Sequence, residues 1–136
     1  MIIVVLDTNI FVATGFNRDS HAARIVRAVE EGELRMVWNE ATRREIRQVL
    51  EHIPPLSWKT FADLFREEER YSGATHPDHF DYIDDPDDRK FAALAEAADA
   101  LLVSLDDDLL EHRTQAGVTI LTSGEFLERY LQEDAA

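Results

Sequence analysis

The sequence has no cysteine, only five glycines and four prolines, and half as many basic as acidic residues, 14 against 28. The missing cysteine excludes disulfides, thiolate metal ligands and thiol nucleophiles, and it fits a reducing compartment. No apolar run approaches the roughly 20 residues that a membrane span needs. The opening MIIVVL lacks a basic stretch and meets Asp7 too soon for a secretory signal, so a cytoplasmic location is expected. No repeat, linker or low-complexity segment divides the chain. Its 136 residues are expected to form one domain, 1–136, around one core. The shortage of bases leaves a net charge of −14, which does not suggest general affinity for nucleic acid. It fits a solubilising surface, a basic protein partner, or a cluster of acids that binds cations.

What is present is an alternation of strands and helices. IIVVL (2–6) is a β-branched apolar run of the kind found in strands buried on both faces. A loop with Gly15 and Asn17 follows. Asp19 or Ser20 then caps a helix whose apolar positions Ala22, Ile25, Val26 and Val29 have helical spacing, with Gly32 as its C-terminal stop. LRMVW (34–38) reads as a strand, and a helix is expected from about Glu40 to His52, ended by Pro54-Pro55. A further helix is expected from Ser57 to Tyr71 with Phe61, Leu64 and Phe65 on its core side, then a loop to Pro86. Asp85 as cap and Pro86 in the first turn mark the next helix. ALLVSL (100–105) is a second apolar strand, followed by a short helix over DDLLEHRTQ, a GVTIL strand and a last helix from Ser123 to Leu131. This pattern predicts an α/β fold with a mainly parallel sheet. Such sheets bind ligands beyond the carboxyl ends of their strands. Asp7 and Asp106 each directly follow an apolar strand, so both are expected at that edge.

Several acids stand at unusual places. Glu45 lies about 40° around the helical wheel from Val49 and so borders the stripe of Ile46, Val49, Leu50 and Ile53. A glutamate there turns outward, pairs with an arginine at helical spacing, or takes a cation. Asp88 sits three residues after the cap Asp85, where the helix dipole alone favours an acid. Asp85, Asp87 and Asp88 repel one another, however, and a divalent cation would relieve that repulsion. Asp106, Asp107 and Asp108 either cap the short helix or, in the case of Asp106, face the place that Asp7 faces. Ser104 shares a side of the pleat with Asp106. Without cysteine, an oxygen-rich pocket of this kind selects Mg²⁺ or Mn²⁺. His76 and His79 have a loose metal-like spacing but no soft ligands beside them, so no zinc site is expected.

The ordered pieces VLDTNIFV, EIRQVL, DDPDDRKFAALAEAADALLVSLDDDLL and TILTSGEFL resemble the PIN-domain family, metal-dependent ribonucleases that include VapC-type toxins of toxin–antitoxin pairs. The resemblance spans nearly the whole chain. It implies a three-layer α/β/α sandwich in which Asp7, Glu45, Asp88 and Asp106 hold Mg²⁺ or Mn²⁺ and activate water for cleavage of RNA. It also implies that Asn9 and Ser104 orient the acids, while Thr8 shapes the turn. An antitoxin partner with a basic segment and a homodimer are further implications. RNA-cleaving members need a basic approach to the site. Arg18, Arg24, Arg27, Arg43, Arg44, Arg47 and Lys90 are local sources, of which Arg43, Arg44, Arg47 and Lys90 are expected to touch the RNA backbone. Asp85, Asp107 and Asp108 stay open as alternative ligands. Two other classes compete: a catalytically silent binding module on the same fold, and a phosphohydrolase. For the latter, DTN lacks the second aspartate two residues on that haloacid dehalogenase-type phosphatases use.

Overall fold

The computed structural model describes residues 1–115 and 117–131; Ala116 and residues 132–136 of the expected domain lie outside the described residues. Four parallel strands form one sheet in the order β2-β1-β3-β4. They are β1 (Ile3–Leu6), β2 (Arg35–Met36), β3 (Leu101–Val103) and β4 (Ile120–Leu121). Val4, Val5 and Leu6 are buried in succession rather than in alternation, because helices cover both faces of the sheet. The helices are α1 (Thr8–Phe16), α2 (His21–Glu30), α3 (Glu40–Glu51), α4 (Pro86–Ala98), α5 (Asp107–Glu111) and α6 (Ser123–Tyr130). α2 packs against α1 and α6, whereas α4 packs on β1, β3 and α5, and α3 touches both α1 and α4. The result is the expected mainly parallel α/β/α sandwich.

The chain reverses direction across the sheet at β1. The β1-to-β2 connection moves one way, and the β2-to-β3 connection returns past β1 to its other side. The carboxyl ends of β1 and β3 therefore flank a topological switch point, the favoured ligand crevice of such sheets.

Most helix starts follow their caps. Ser20 accepts a hydrogen bond from the Ala23 amide, and Asn39 and Thr42 form a reciprocal capping box at the start of α3. Gly32, with φ +81°, follows the end of α2 in the left-handed conformation that glycine adopts at no steric cost.

Several elements differ from expectation. Residues 8–16 form α1 instead of a loop. The Leu56 side chain packs directly over Gly15, in the space a Cβ there would take. Ile10, Phe11 and Thr14 form the buried side of this helix. The expected helix over 57–71 is instead three 3₁₀ turns at Trp58–Thr60, Ala62–Leu64 and Glu67–Glu69. Trp38 draws this segment away from helical bonding. Its amide donates to the Glu69 carbonyl, its carbonyl accepts from Tyr71 at 2.8 Å, and its indole donates to the Arg66 carbonyl at 2.8 Å. Phe61, Leu64 and Phe65 still reach the core. Trp38 forms an isolated parallel bridge with Arg70, and β2 covers only Arg35–Met36 of the expected 34–38. The expected 72–86 loop contains a 3₁₀ turn at Pro77–Phe80 that buries Phe80.

Candidate metal centre

Register fixes the inner wall of the site. Leu6 pairs with Val103, and the Asp7 amide donates to the Val103 carbonyl at 3.2 Å, extending the ladder by one residue. Asp7 and Ser104 consequently leave the sheet side by side. Asp7 occupies the cap position of α1, yet its side chain makes no capping bond. Its Oδ2 instead accepts from the Ser104 hydroxyl. Ser104 Oγ in turn accepts from the Asp106 amide at 2.9 Å, and Asp106 Oδ1 caps α5 by accepting from the Asp108 amide at 2.8 Å. This chain of bonds fixes the Asp7 carboxylate and the backbone entering Asp106 as one unit.

Helix starts and helix sides form the outer wall. Asp85 Oδ1 accepts from the Asp87 amide at 2.9 Å, which begins α4 and directs Asp88 inward. Glu45 arrives from α3. Asp7, Thr8, Asn9, Glu45, Val49, Asp85, Asp87, Asp88 and Asp106 line one cleft of about 160 Å³. All four acids expected to act together thus share a single cavity, and Asn9 sits at it. Ser104 is buried and touches the cleft through Asp7.

Electrostatics set this cleft apart. Asp7 is 3% exposed, and its burial pushes the carboxyl from 3.8 up to about 7, with the Asp106 charge adding to the shift and the Ser104 hydroxyl opposing it. Burial likewise raises Asp88 to about 8, with further contributions from Asp106 and Asp85. Asp108 moves upward for the same reasons: burial first, then the neighbouring acids. Among the described residues, Asp7 Oδ1, Asp88 Oδ2 and Thr8 Oγ1 are buried without a hydrogen-bond partner. Unpaired buried oxygens of this kind are costly, and a cation would satisfy them. The donor set is entirely oxygen, which suits a hard divalent ion such as Mg²⁺ or Mn²⁺.

The expected basic residues divide. Lys90 lies at the cleft, 3.5 Å from Glu45 and 3.7 Å from Asp87. Arg43 pairs with Glu40 at 2.7 Å and stacks over Trp38, and Arg47 pairs with Glu51 at 2.8 Å beside Trp58. Arg44 is exposed and, among the described residues, makes no ion pair. None of the three arginines lines the cleft. Sequence reasoning assigned Thr8 to the turn alone, yet its orphaned hydroxyl is at the site. Asp85 and Asp87 also line it, as the crowding of acids in DDPDD signals.

Residues 3–108 match the PIN domain family. The chain belongs to the PIN-domain family. Solved structures share this fold across most of their length. The structure of VapBC2 from Rickettsia felis bound to a DNA fragment from their promoter superposes with a TM-score of 0.64 at 12% identity, covering 89% of this chain and 98% of that one. FitAcB from Neisseria gonorrhoeae gives 0.60 at 13% identity, with 89% and 98% covered. FitAB bound to the IR36 DNA fragment gives 0.59 at 13%, with 88% and 94% covered. No curated protein matches the sequence. In this PIN domain the acidic cleft coincides with the switch point of the sheet. No helix among the described residues is long and apolar enough to cross a membrane.

Proposed function

We propose that this PIN domain is a divalent-metal-dependent endoribonuclease, with Asp7, Glu45, Asp88 and Asp106 as the ligands of Mg²⁺ or Mn²⁺. The observation that carries the reading is the pair of buried, partnerless oxygens, Asp7 Oδ1 and Asp88 Oδ2, on two carboxylates lining the same cleft. When bound, a divalent ion supplies an acidified water and neutralises charge on the scissile phosphate. Hydrolysis of a phosphodiester puts the hydroxyl of a water on phosphorus and its proton on the leaving oxygen, which departs as the alcohol. Ser104 holds Asp7 in one orientation by donating to Oδ2, leaving Oδ1 for the ion. Asn9, exposed at the rim, is placed to orient a water or the substrate. Lys90 holds Glu45 until phosphate or metal competes for either, and Arg43, Arg44 and Arg47 on α3 offer contacts to the RNA backbone.

Resemblance to VapC-type members, and the fold shared with VapBC2 and FitAB, support the finer reading as the toxin of a toxin–antitoxin pair acting in the cytoplasm. The −14 charge suits an antitoxin with a basic segment, and a homodimer is the expected assembly. The same charge favours one rival, a catalytically silent module that only binds its partner. Incubating RNA with the purified protein separates the two. Cleavage is expected with Mn²⁺, absent with a chelator and abolished by Asp7→Asn. Cleavage that is equal before and after Asp7→Asn would remove the assignment, and no cleavage of any RNA would favour the silent module.

A further inference from the structure

Six of the seven phenylalanines are buried in the core, whereas Phe16 is 59% exposed. It shares one face of α1 with Asn9, Val12 and Ala13, at the i, i+3, i+4 and i+7 positions of a single helix side. Asn9 is exposed and lines the acidic cleft, and Val12 and Ala13 are half-buried. A stripe open to solvent therefore runs from the cleft to Phe16 over about 10 Å of helix. Helical side chains tilt toward their own N-terminus, so the ring leans back toward the cleft. The stripe is also free of negative charge. No acid occurs between Asp7 and Asp19, in a chain with 28 acids among 136 residues. Beyond the ring the charge is positive. The Arg27 guanidinium donates to the Arg18 carbonyl at 3.0 Å, which brings two exposed arginines together. Neither makes an ion pair among the described residues, whereas Arg24 pairs with Glu33 at 3.6 Å.

We propose that this face of α1 is the track of the substrate strand, and that Phe16 stacks a base of unpaired RNA flanking the phosphate held in the cleft. The inference rests on the nuclease reading, whose site it extends. Stacking on a protein ring requires a base with a free face, which single strands and loops offer and a duplex does not. An exposed ring, an acid-free approach and two arginines beyond it suit a polyanion that carries flat apolar bases. The same tract gives RNA a way to an acidic cleft on a chain of net charge −14. A stable protein partner needs about 800 Å² on each side, far more than one stripe of a helix of 9 residues presents. A base needs one ring.

Binding of one labelled RNA, unpaired or annealed to its complement, tests this with Mn²⁺ in full-length Asp7→Asn protein, where the RNA stays intact. Phe16→Ala added to that protein should weaken binding of the unpaired RNA about five- to a hundredfold and leave the duplex unchanged. Phe16→Trp should retain the binding and Phe16→Leu should not, because leucine supplies apolar area without a ring. The melting temperature should stay at its parent value in all three, since the side chain is exposed. Equal binding with and without Phe16→Ala would overturn the proposal and leave the stripe to a protein partner. Full binding by the leucine variant, or no RNA bound by any of them, would overturn it as well. With Asp7 restored, RNA cleavage at a KM that Phe16→Ala does not change sinks this inference alone. Ring-dependent binding without any cleavage sinks the nuclease reading and leaves the stacking standing.

Discussion

The two walls of the acidic cleft are built by different physics. The inner wall, Asp7 with Ser104 and Asp106, is placed by strand register and by a relay of hydrogen bonds. The outer wall, with Asp85 and Asp88, is placed by the start of α4. On the inner wall Asp7 is buried and Asp106 half-buried; on the outer wall Asp88 is buried and Asp85 exposed. The difference teaches that an acid can be put in an unfavourable position either by the sheet, as Asp7 is, or by a helix start, as Asp88 is.

Asp7 tests that difference most severely. Its folded-state carboxyl near 7 and that of Asp88 near 8 mean that the native protein keeps protons the unfolded chain has already released above about 4. Without metal, stability is therefore highest below about pH 4 to 5 with respect to these two groups and declines as pH rises through 7 to 8. Thermal melts at stepped pH should show that decline, and Mn²⁺ should reverse it at pH 8. Asp7→Asn should flatten it, raising metal-free stability at pH 8 by on the order of a few kcal/mol while abolishing cleavage. An Asp7→Asn protein that is less stable than wild type at pH 8 would show that the carboxylate is not strained by its surroundings.

Much of this was legible in the sequence because position alone betrays an acid at the end of a buried strand. Asp7 after VVL and Asp106 after LLVSL could be placed at one edge without coordinates, and the alternation of elements fixed the parallel sheet. Glu45 was legible as the misfit beside an apolar stripe. Other features were hidden for physical reasons. Gly15 looked like a loop marker because its reason, the Leu56 side chain, is distant in sequence. The 57–71 segment has helical periodicity, but Trp38 competes for its backbone groups. Asp85 and Asp108 stayed ambiguous because capping a helix and ligating a cation call for the same side chain.

Ser104→Ala has the next largest expected effect. It removes the hydroxyl on Asp7 Oδ2 and the acceptor of the Asp106 amide in one step. Supporting partners of metal ligands typically contribute about 10–100-fold, so Mn²⁺ affinity measured by calorimetry should fall by that factor. A change below about twofold would mean that register alone, without the hydroxyl, positions the inner wall. Smallest of all is Lys90→Met. The ammonium is 3.5 Å from Glu45 in a partly solvated setting, so freeing the glutamate should raise Mn²⁺ affinity by only about two- to fivefold. A loss of affinity instead would show that Lys90 orients Glu45 for the ion and does not compete with it.

The pairing of Leu6 with Val103 carries one more consequence. Side chains alternate along a strand, so a slip of one residue between β1 and β3 would set Val103 or Leu105 where the Ser104 hydroxyl belongs. The Asp7 carboxylate would then meet hydrocarbon. A chain that folds out of step therefore also fails to build its acidic cleft, so one register error costs the fold and the site together.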